Sequence, residues 1–242
     1  MRLLEPGESV LTADSEHRRY IDAKVQNYNP VFGDNVSGSL IRRACVALAN
    51  HDPRAIDVVG DCHAWGDSSV WELTTRLQED FVIWAPNKRG DLSAQILSVN
   101  LPSGWDPKTK VNKTFLEIHE PVPDFDTVNR AARHIAEMIS QKGPFVRYVW
   151  TVCNSDQLNR HPTLTHDWSN ETVKDMWFRY ERQVTLPMSD AALFLIRVYM
   201  LPLKQVFRSR KKKAQVIESI NSMTQAVLDY KDLNYVKTVL TS

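Results

Sequence analysis

The chain has 242 residues, of which 43% are hydrophobic and 24% charged, proportions typical of a globular protein that buries a sizeable core in one large domain or two small ones. The formal net charge of +1 gives no global indication of nucleic-acid binding. No apolar run approaches the roughly 20 residues of a membrane span, the N-terminus lacks the apolar segment of a signal peptide, and the three cysteines cannot all pair, so we predict a reduced, cytoplasmic protein without a membrane segment.

The first third of the chain, residues 1–77, is predicted to be helical. Residues 12–27 and 39–50 each place apolar side chains at helical spacing among charged ones. A third helix is predicted from Ser69, because Ser69 and Glu72 have the spacing of a capping box.

The pattern changes near residue 80. Residues 80–86 form an apolar, aromatic run, residues 87–91 have the composition of a turn, and residues 92–101 alternate between apolar and polar. This combination predicts a β-hairpin. Residues 126–141 return to helical spacing, and Gly143-Pro144 provides a stop.

Three further extended segments follow, at residues 145–153, 177–186 and 191–200. A short connection at residues 187–190 joins the last two. From residue 203 to residue 230 and beyond, the chain is predicted to be helical. Five strands with at least two hairpins predict a mostly antiparallel sheet covered by helices, which is an α+β protein. No repeat or linker interrupts the chain, so we predict one domain over residues 1–242 with its sheet-containing core at residues 78–203.

The sequence lacks the motifs of common nucleotide-binding, hydrolase and zinc-protease sites. The candidates for a functional site are therefore single residues. His119 ends a segment that is predicted to be extended and is stopped by two prolines. Neutral imidazole is a good iron ligand, although spacing alone favours a structural histidine. Cys62-His63 lacks a second ligand pair at zinc spacing. His161 and His166 lie in a polar segment that either lines a pocket or is exposed.

The predicted strand at residues 177–186 contains a row of polar side chains. Alternation places Arg179, Glu181 and Gln183 on one face and Tyr180 and Arg182 on the other. The Glu181 carboxylate could bind an amine or form a cross-strand salt bridge, and the pattern leaves both open.

Arg147 is a charge within an otherwise apolar strand. Its burial requires a partner such as a carboxylate or a heme propionate.

A basic run at Arg208-Ser-Arg-Lys-Lys-Lys213 stands out in this near-neutral chain. Such runs are usually solvated, but they also dock acidic redox partners or bind phosphate. Nucleic acid is not favoured, because no aromatic residues are interleaved with the charges.

Several short motifs occur in a fixed order over residues 78–203. They are Gln78-Glu-Asp-Phe81, Leu101-Pro-Ser-Gly-Trp105 followed by Lys110, Ile118-His-Glu-Pro-Val-Pro123, Arg147 to Trp150, and Arg179-Tyr-Glu-Arg-Gln183 followed by Leu186-Pro187. Their order and spacing resemble those of the α-subunit family of heme-dependent oxidative N-demethylases. Asn112, Val149 and Val184 depart from the residues that this family favours, which are Gly, Asn and Thr.

This resemblance implies a PAS-like fold, in which a five-stranded antiparallel sheet with helical N- and C-terminal extensions cradles heme b. It also implies oxidation of a small methylated amine, with electrons from NADPH delivered through separate flavin and iron–sulfur components. Carried over to this chain, it makes His119 the axial heme ligand and Arg147 a heme-binding residue. Glu181 then binds substrate and acts in catalysis, and Arg179 binds substrate.

The reductase would dock at the exposed basic side chains of Arg208, Arg210, Lys211, Lys212 and Lys213. Two other readings remain open, a heme-binding sensor on the same scaffold and a non-catalytic interaction protein that has lost heme.

Overall fold

The computed structural model describes residues 1–60, 69–123, 134–164, 167–168 and 172–241. The strands in this part of the chain are β1 (Arg2–Leu3), β2 (Val31–Phe32), β3 (Asp80–Pro86), β4 (Leu92–Ser98), β5 (Phe145–Cys153), β6 (Trp177–Met188) and β7 (Ala191–Pro202). They form one antiparallel sheet in the order β1-β5-β6-β7-β3-β4-β2. The predicted antiparallel sheet is confirmed. The predicted number of five strands is wrong, because β1 and β2 add two residues each to the sheet edges.

Helices precede the sheet, cover it and follow it. They are α1 (His17–Gln26), α2 (Ser39–His51), α3 (Ala55–Val59), α4 (Ser69–Arg76), α5 (Phe115–His119), α6 (134–141), α7 (Leu203–Val206), α8 (Arg210–Asn221), α9 (Gln225–Tyr230) and α10 (Asn234–Thr241). The α+β class is confirmed, and the predicted start of the helix at residue 126 lies outside the described residues. Among the described helices, none has both the length and the apolar character to cross a membrane.

The C-terminal region, which was predicted to be helical from residue 203, is divided into four helices. The side chains of Ser209 and Thr224 cap α8 and α9 by accepting hydrogen bonds from the backbone N–H groups of Lys212 and Val227. Ser and Thr favour such caps over helix interiors because their hydroxyls bond the free N–H groups of the first turn. Each cap therefore starts a new helix.

The β6–β7 hairpin also turns later than predicted. Pro187 and Met188 still pair with β7, so the turn is formed by Ser189 and Asp190 alone. Ser189 has a φ of 70°, in the left-handed region that two-residue hairpin turns require.

Alternation along the strands gives the sheet two buried faces. The side that carries Glu181 is called the front face here, and it buries Val82, Trp84 and Ile196 against residues that include Phe115 and Ile118 of α5. The back face is covered by α2 to α4 near β3 and by the C-terminal helices near β5. Each fully buried Leu, Ile or Phe contributes roughly 1.5–3 kcal/mol, so both layers hold the sheet.

The motif Gln78-Glu-Asp-Phe81 anchors the N-terminal segment to the sheet. The fully buried Lys24 donates hydrogen bonds to the carbonyls of Leu77 and Glu79, and its Nζ lies 3.8 Å from Asp80 Oδ1. Burial lowers the pKa of Lys24 to about 8, and Asp80 opposes this shift. Because two buried charges are stable only when paired, this contact fixes α1 on the start of β3.

Candidate functional site

The front face of β6 and β5 carries a row of polar side chains. Arg179, Glu181 and Gln183 lie opposite Thr151, Val149 and Arg147, respectively. The prediction that Arg179, Glu181 and Gln183 share one face agrees with this register.

Tyr180 and Arg182, the other two residues of the motif at positions 179–183, point to the back face. Arg182 donates to the carbonyls of Val10 and Ser9, and Tyr180 stacks on Tyr199 with ring centroids 4.6 Å apart. The motif therefore serves both sides of the sheet.

A chain of hydrogen bonds joins the front-face row. Arg147 Nε donates to Gln183 Oε1 at 2.6 Å, and Gln183 Nε2 donates to Glu181 Oε2 at 2.6 Å. Ser103 Oγ donates to the other carboxylate oxygen of Glu181, and Arg179 Nε donates to Ser103 Oγ at 2.7 Å. Glu181 thus forms hydrogen bonds to two neutral groups and no ion pair with any described residue. This arrangement fixes the direction of its carboxylate and leaves its charge without a bonded cation.

Arg179 holds the loop that carries Ser103. Its side chain is buried, and besides Ser103 it donates to the carbonyls of Leu158 and Leu101 at 2.9 Å each, with weaker contacts to Pro102 O and Met200 Sδ. These contacts use its donors, so its effect on a ligand passes through Ser103 and Glu181. Ser103 itself was not singled out as a site residue, although it lies within the sequence motif ending at Trp105.

Arg147 has hydrogen-bond donors that no described residue occupies. Its side chain is half-buried, and its two terminal nitrogens have no partner among the described residues, since Gln183 occupies Nε alone. Burial lowers the pKa of Arg147 while the nearby Glu181 raises it. A half-buried guanidinium with free donors is suited to an anionic group.

His119 ends a helix and not the extended segment that was expected. Thr114 and Glu117 form a capping box that starts α5, and the Thr-x-x-Glu spacing of this signal was already present in the sequence. The His119 Nδ1 atom lies 2.8 Å from the carbonyl oxygen of Phe115, and the two rings stack with centroids 4.0 Å apart. A carbonyl can only accept, so Nδ1 carries the proton and Nε2 presents its lone pair.

The surroundings of His119 favour its neutral form. Burial lowers the pKa of His119, and the charges of Arg147 and Lys110 lower it further against the opposing effect of the Phe115 carbonyl. Lys110 donates to the carbonyl of Ile118 at 3.3 Å. A neutral imidazole whose Nδ1–H is held by a carbonyl has the form of a metal-binding histidine.

Lys231 contacts the outer edge of β5, and the sequence did not suggest this contact. Its Nζ donates to the carbonyl of Trp150 at 2.9 Å and lies 5.6 Å from the ring centroid of Trp150, which stands opposite Tyr180 and so belongs to the back face. Burial lowers the pKa of Arg147, Arg179 and Lys231, and the charge of Glu181 opposes this shift. All three cations form hydrogen bonds to neutral groups only among the described residues.

Arg147 and Arg179 share the front face with Glu181. Thr151 Oγ1, on the same face, is a buried side-chain atom with no hydrogen-bond partner among the described residues. A buried hydroxyl without a partner costs about 1–3 kcal/mol.

The other histidines are placed away from this row. His161 uses both ring nitrogens, with Nε2 at 3.3 Å from Asp106 and Nδ1 at 2.8 Å from Thr163 Oγ1. Cys62-His63 and His166 lie outside the described residues. Within those residues, no group of three or more His, Cys, Asp or Glu side chains could hold a metal ion.

Two open cavities also lie elsewhere. One of about 330 Å³ is on the back face and is lined by residues that include Tyr148, Tyr180 and Tyr199. The other, of about 300 Å³, lies beside His161. Neither is lined by Glu181 or His119, so the hydrogen-bonded row locates the candidate site and cavity size does not.

The basic run is exposed, and most of it lies in the first turn of α8. Arg208, Arg210 and Lys211 to Lys213 form no ion pair with any described residue. Cations at a helix N-terminus oppose the helix dipole, by roughly 0.3–1 kcal/mol each. This surface is therefore accessible to an acidic partner.

Asn112 explains one departure from the family pattern. Its φ is 63°, in the left-handed region where Gly is favoured and Asn is the best-tolerated alternative. Asn112 therefore occupies a backbone conformation that Gly also adopts readily. Val149 lies directly opposite Glu181 in the β5–β6 register.

A family model described as "Haem-dependent oxidative N-demethylase, alpha subunit-like" matches residues 67–241. The match covers more than half of the chain and includes every residue of the front-face row, His119 and Lys231. The predicted resemblance is confirmed.

Proposed function

The chain belongs to the heme-dependent oxidative N-demethylase alpha-subunit-like family, and from this membership we propose that it is the heme-binding oxygenase component of an enzyme that oxidises a small methylated amine. The family description points to heme-dependent oxidative demethylation and, by the term alpha subunit, to a further protein component. The substrate, the residue roles and the electron supply set out below are our proposals.

His119 would hold the iron of heme b through its Nε2 atom. Its Nε2 lone pair is free, and its Nδ1–H is fixed on the Phe115 carbonyl, which sets the ring direction and keeps the proton off the ligating atom. One histidine is a sufficient protein ligand for heme iron. When bound, heme supplies the oxygen-activating redox chemistry.

Glu181 binds the protonated amine. Ser103 and Gln183 each occupy one direction at its two oxygens, and a carboxylate has about four acceptor positions, so room remains for an ammonium N–H. The fixed carboxylate is the observation that carries the substrate assignment. Arg179 contributes through Ser103, and Arg147 uses its free donors for a heme propionate.

Electrons come from NADPH through separate flavin and iron–sulfur components, which dock at the basic surface of Arg208, Arg210 and Lys211 to Lys213. Exposed cations steer an acidic partner into contact, and salt screens this effect.

The test of the proposed function is the visible spectrum of the purified chain after addition of hemin. We expect a Soret band at one heme per chain, its loss or gross change in His119→Ala, and an unchanged spectrum in the control His161→Ala. Reductant-driven, oxygen-dependent turnover of a methylated amine then separates an enzyme from a heme sensor. A parent chain that binds no hemin would refute the proposal, and a normal spectrum in His119→Ala would remove His119 as the ligand.

A further inference from the structure

The cavity on the back face of the sheet takes no part in the proposed function. Its volume of about 330 Å³ is near the lower end of the range for small-molecule sites, about 300–1,000 Å³. Its walls come from the sheet and from the N-terminal segment, and the lining residues are Tyr148, Tyr180, Arg182, Tyr199, Glu8, Ser9 and Thr12. The segment is fixed to the sheet, because Tyr199 Oη donates to Thr12 Oγ1 at 2.8 Å. The cavity therefore lies between two bonded parts of the fold.

Three tyrosine rings form the sheet side of this cavity. Tyr180 and Tyr199 stand opposite each other in the β6–β7 register, and their rings are nearly parallel, with an interplanar angle of 8°. Tyr148 stands opposite Arg182 in the β5–β6 register, is 53% exposed and stacks on no ring among the described residues. Aromatic rings attract a further ring in offset-stacked or edge-to-face geometry. These walls suit a ligand with a flat aromatic ring.

Arg182 brings buried hydrogen-bond donors to the same cavity. Its side chain is only 5% exposed. Nη1 donates to the carbonyl of Val10 at 2.8 Å, and Nη2 donates to the carbonyl of Ser9 at 2.6 Å and to Glu8 Oε1 at 3.4 Å. A guanidinium has five N–H bonds, so Nε–H and the second N–H of Nη1 have no partner in the part of the chain that the structure describes. Buried donors without a partner favour a ligand that carries an acceptor.

The one carboxylate in the lining has no room for a cation. Glu8 accepts from Arg2 through both oxygens at 2.8 and 3.1 Å, from the backbone N–H of Glu5 at 3.1 Å and from Arg182 at 3.4 Å. A carboxylate has about four acceptor positions, and these four contacts fill them. The cavity therefore offers aromatic rings and unused donors, which favours an acidic aromatic ligand over an ammonium ion.

We propose that the back-face cavity binds a small aromatic carboxylate, whose ring packs against Tyr148 and Tyr180 and whose carboxylate accepts hydrogen bonds from Arg182. Guanidinium and carboxylate form strong, directed contacts, and burial of Arg182 reduces their screening by solvent. The site is independent of the proposed function, because its side chains lie on the face opposite Glu181 and include no residue of the front-face row.

The experiment is calorimetric titration of the purified full chain, with and without added hemin, using three probes. The first, 4-hydroxybenzoate, carries both the aromatic ring and the carboxylate. Cyclohexanecarboxylate keeps the charge and lacks the aromatic ring, and benzylamine keeps the ring and reverses the charge. The variants are Tyr148→Leu, which removes the ring, and Tyr148→Phe, which keeps it. Tyr230→Leu is the matched control, because Tyr230 is an equally exposed tyrosine on α9, at 55%.

We expect 4-hydroxybenzoate to bind at one site per chain, with the same affinity in the presence and absence of hemin. Loss of the ring contact, in cyclohexanecarboxylate or in Tyr148→Leu, should weaken binding by about threefold to tenfold. Benzylamine should bind about tenfold or more weakly than 4-hydroxybenzoate, because it cannot accept from Arg182. Tyr148→Phe and Tyr230→Leu should bind 4-hydroxybenzoate as the parent chain does.

The parent chain tests the inference even if Tyr148→Leu does not fold. No saturable binding of 4-hydroxybenzoate, or tighter binding of benzylamine, would overturn it. Equal affinity for cyclohexanecarboxylate would remove the ring contact. Parent-like binding in Tyr148→Leu, or loss of binding when hemin is added, would place the ligand outside this cavity. Each of these results leaves hemin binding through His119 to be decided by its own spectrum.

Discussion

Replacement of Glu181 by Gln keeps the size of the side chain and removes its charge. Ser103 and Gln183 both donate to the carboxylate, whereas an amide has one acceptor oxygen and one donor nitrogen. The amide oxygen can accept from Gln183 and the amide nitrogen can donate to the Ser103 hydroxyl, which also accepts, so at most one hydrogen bond is lost, at about 0.5–1.5 kcal/mol. The half-buried cations near Glu181 also lose their counter-charge, so we expect a small loss of stability and a retained fold.

Amine binding should suffer more. A contact between a carboxylate and an ammonium is worth about 1.5–3 kcal/mol, which corresponds to one to two orders of magnitude in the dissociation constant. The assay is titration of the heme-loaded protein with a methylated amine, followed by amine-induced spectral shifts, with thermal unfolding measured on the same samples.

Ser103→Ala provides the matched control, because it removes a hydrogen bond to Glu181 and keeps the carboxylate charge. We expect it to lower stability by a similar amount and to weaken amine binding much less than Glu181→Gln. A Glu181→Gln protein that melts early yet binds and oxidises its amine as the parent does would make Glu181 a structural residue.

Four further predictions follow from the same contacts. Burial holds the folded-state pKa of His119 below its ordinary 6.5, so the unfolded chain binds the proton more readily than the folded chain. The free energy of unfolding of the apoprotein should therefore fall as pH drops below about 6.5. A His119→Asn variant whose free energy of unfolding shows the same slope with pH would contradict this cause. Lys24→Met leaves Asp80 buried without its cation and should cost about 3–5 kcal/mol in chemical denaturation, whereas a near-parent value would show that the pair adds little. Thr151→Val removes an unpaired buried hydroxyl and should raise the melting temperature of the apoprotein, while a decrease would reveal a partner for the hydroxyl. Neutralising the charges of Arg208 to Lys213 should slow reduction by the physiological donor at low salt with heme content unchanged, and equal rates at all salt concentrations would refute docking there.

Much of the sheet could be predicted because strand patterns are local. The hairpin of β3 and β4 and the long strands β5, β6 and β7 each show apolar runs or alternation bounded by turn residues. The two-residue strands β1 and β2 show no such period, since two residues cannot alternate detectably. They form because β5 and β4 have edges whose backbone groups are available for pairing.

The prediction of an extended segment before His119, made from the local sequence pattern, was wrong. The two prolines after it and the apolar residues before it suggested an extended segment, but the capping box of Thr114 and Glu117 favours a helical start. The signal was present, and the short length of α5 concealed its periodicity. As a result the ring is held by the carbonyl four residues earlier, a contact that an extended segment would not provide.

The sequence by itself determined which side chains share a face, because strand geometry places Arg179, Glu181 and Gln183 on one side whatever surrounds them. Only the tertiary structure decided their partners. Ser103 reaches Glu181 across 78 positions of the chain, and Lys231 reaches the Trp150 carbonyl across 81. Contacts at such separations depend on how whole elements pack, and no local period encodes them. The charge balance of the site is therefore a property of the folded chain, because it is set by which cations the packing brings beside one carboxylate.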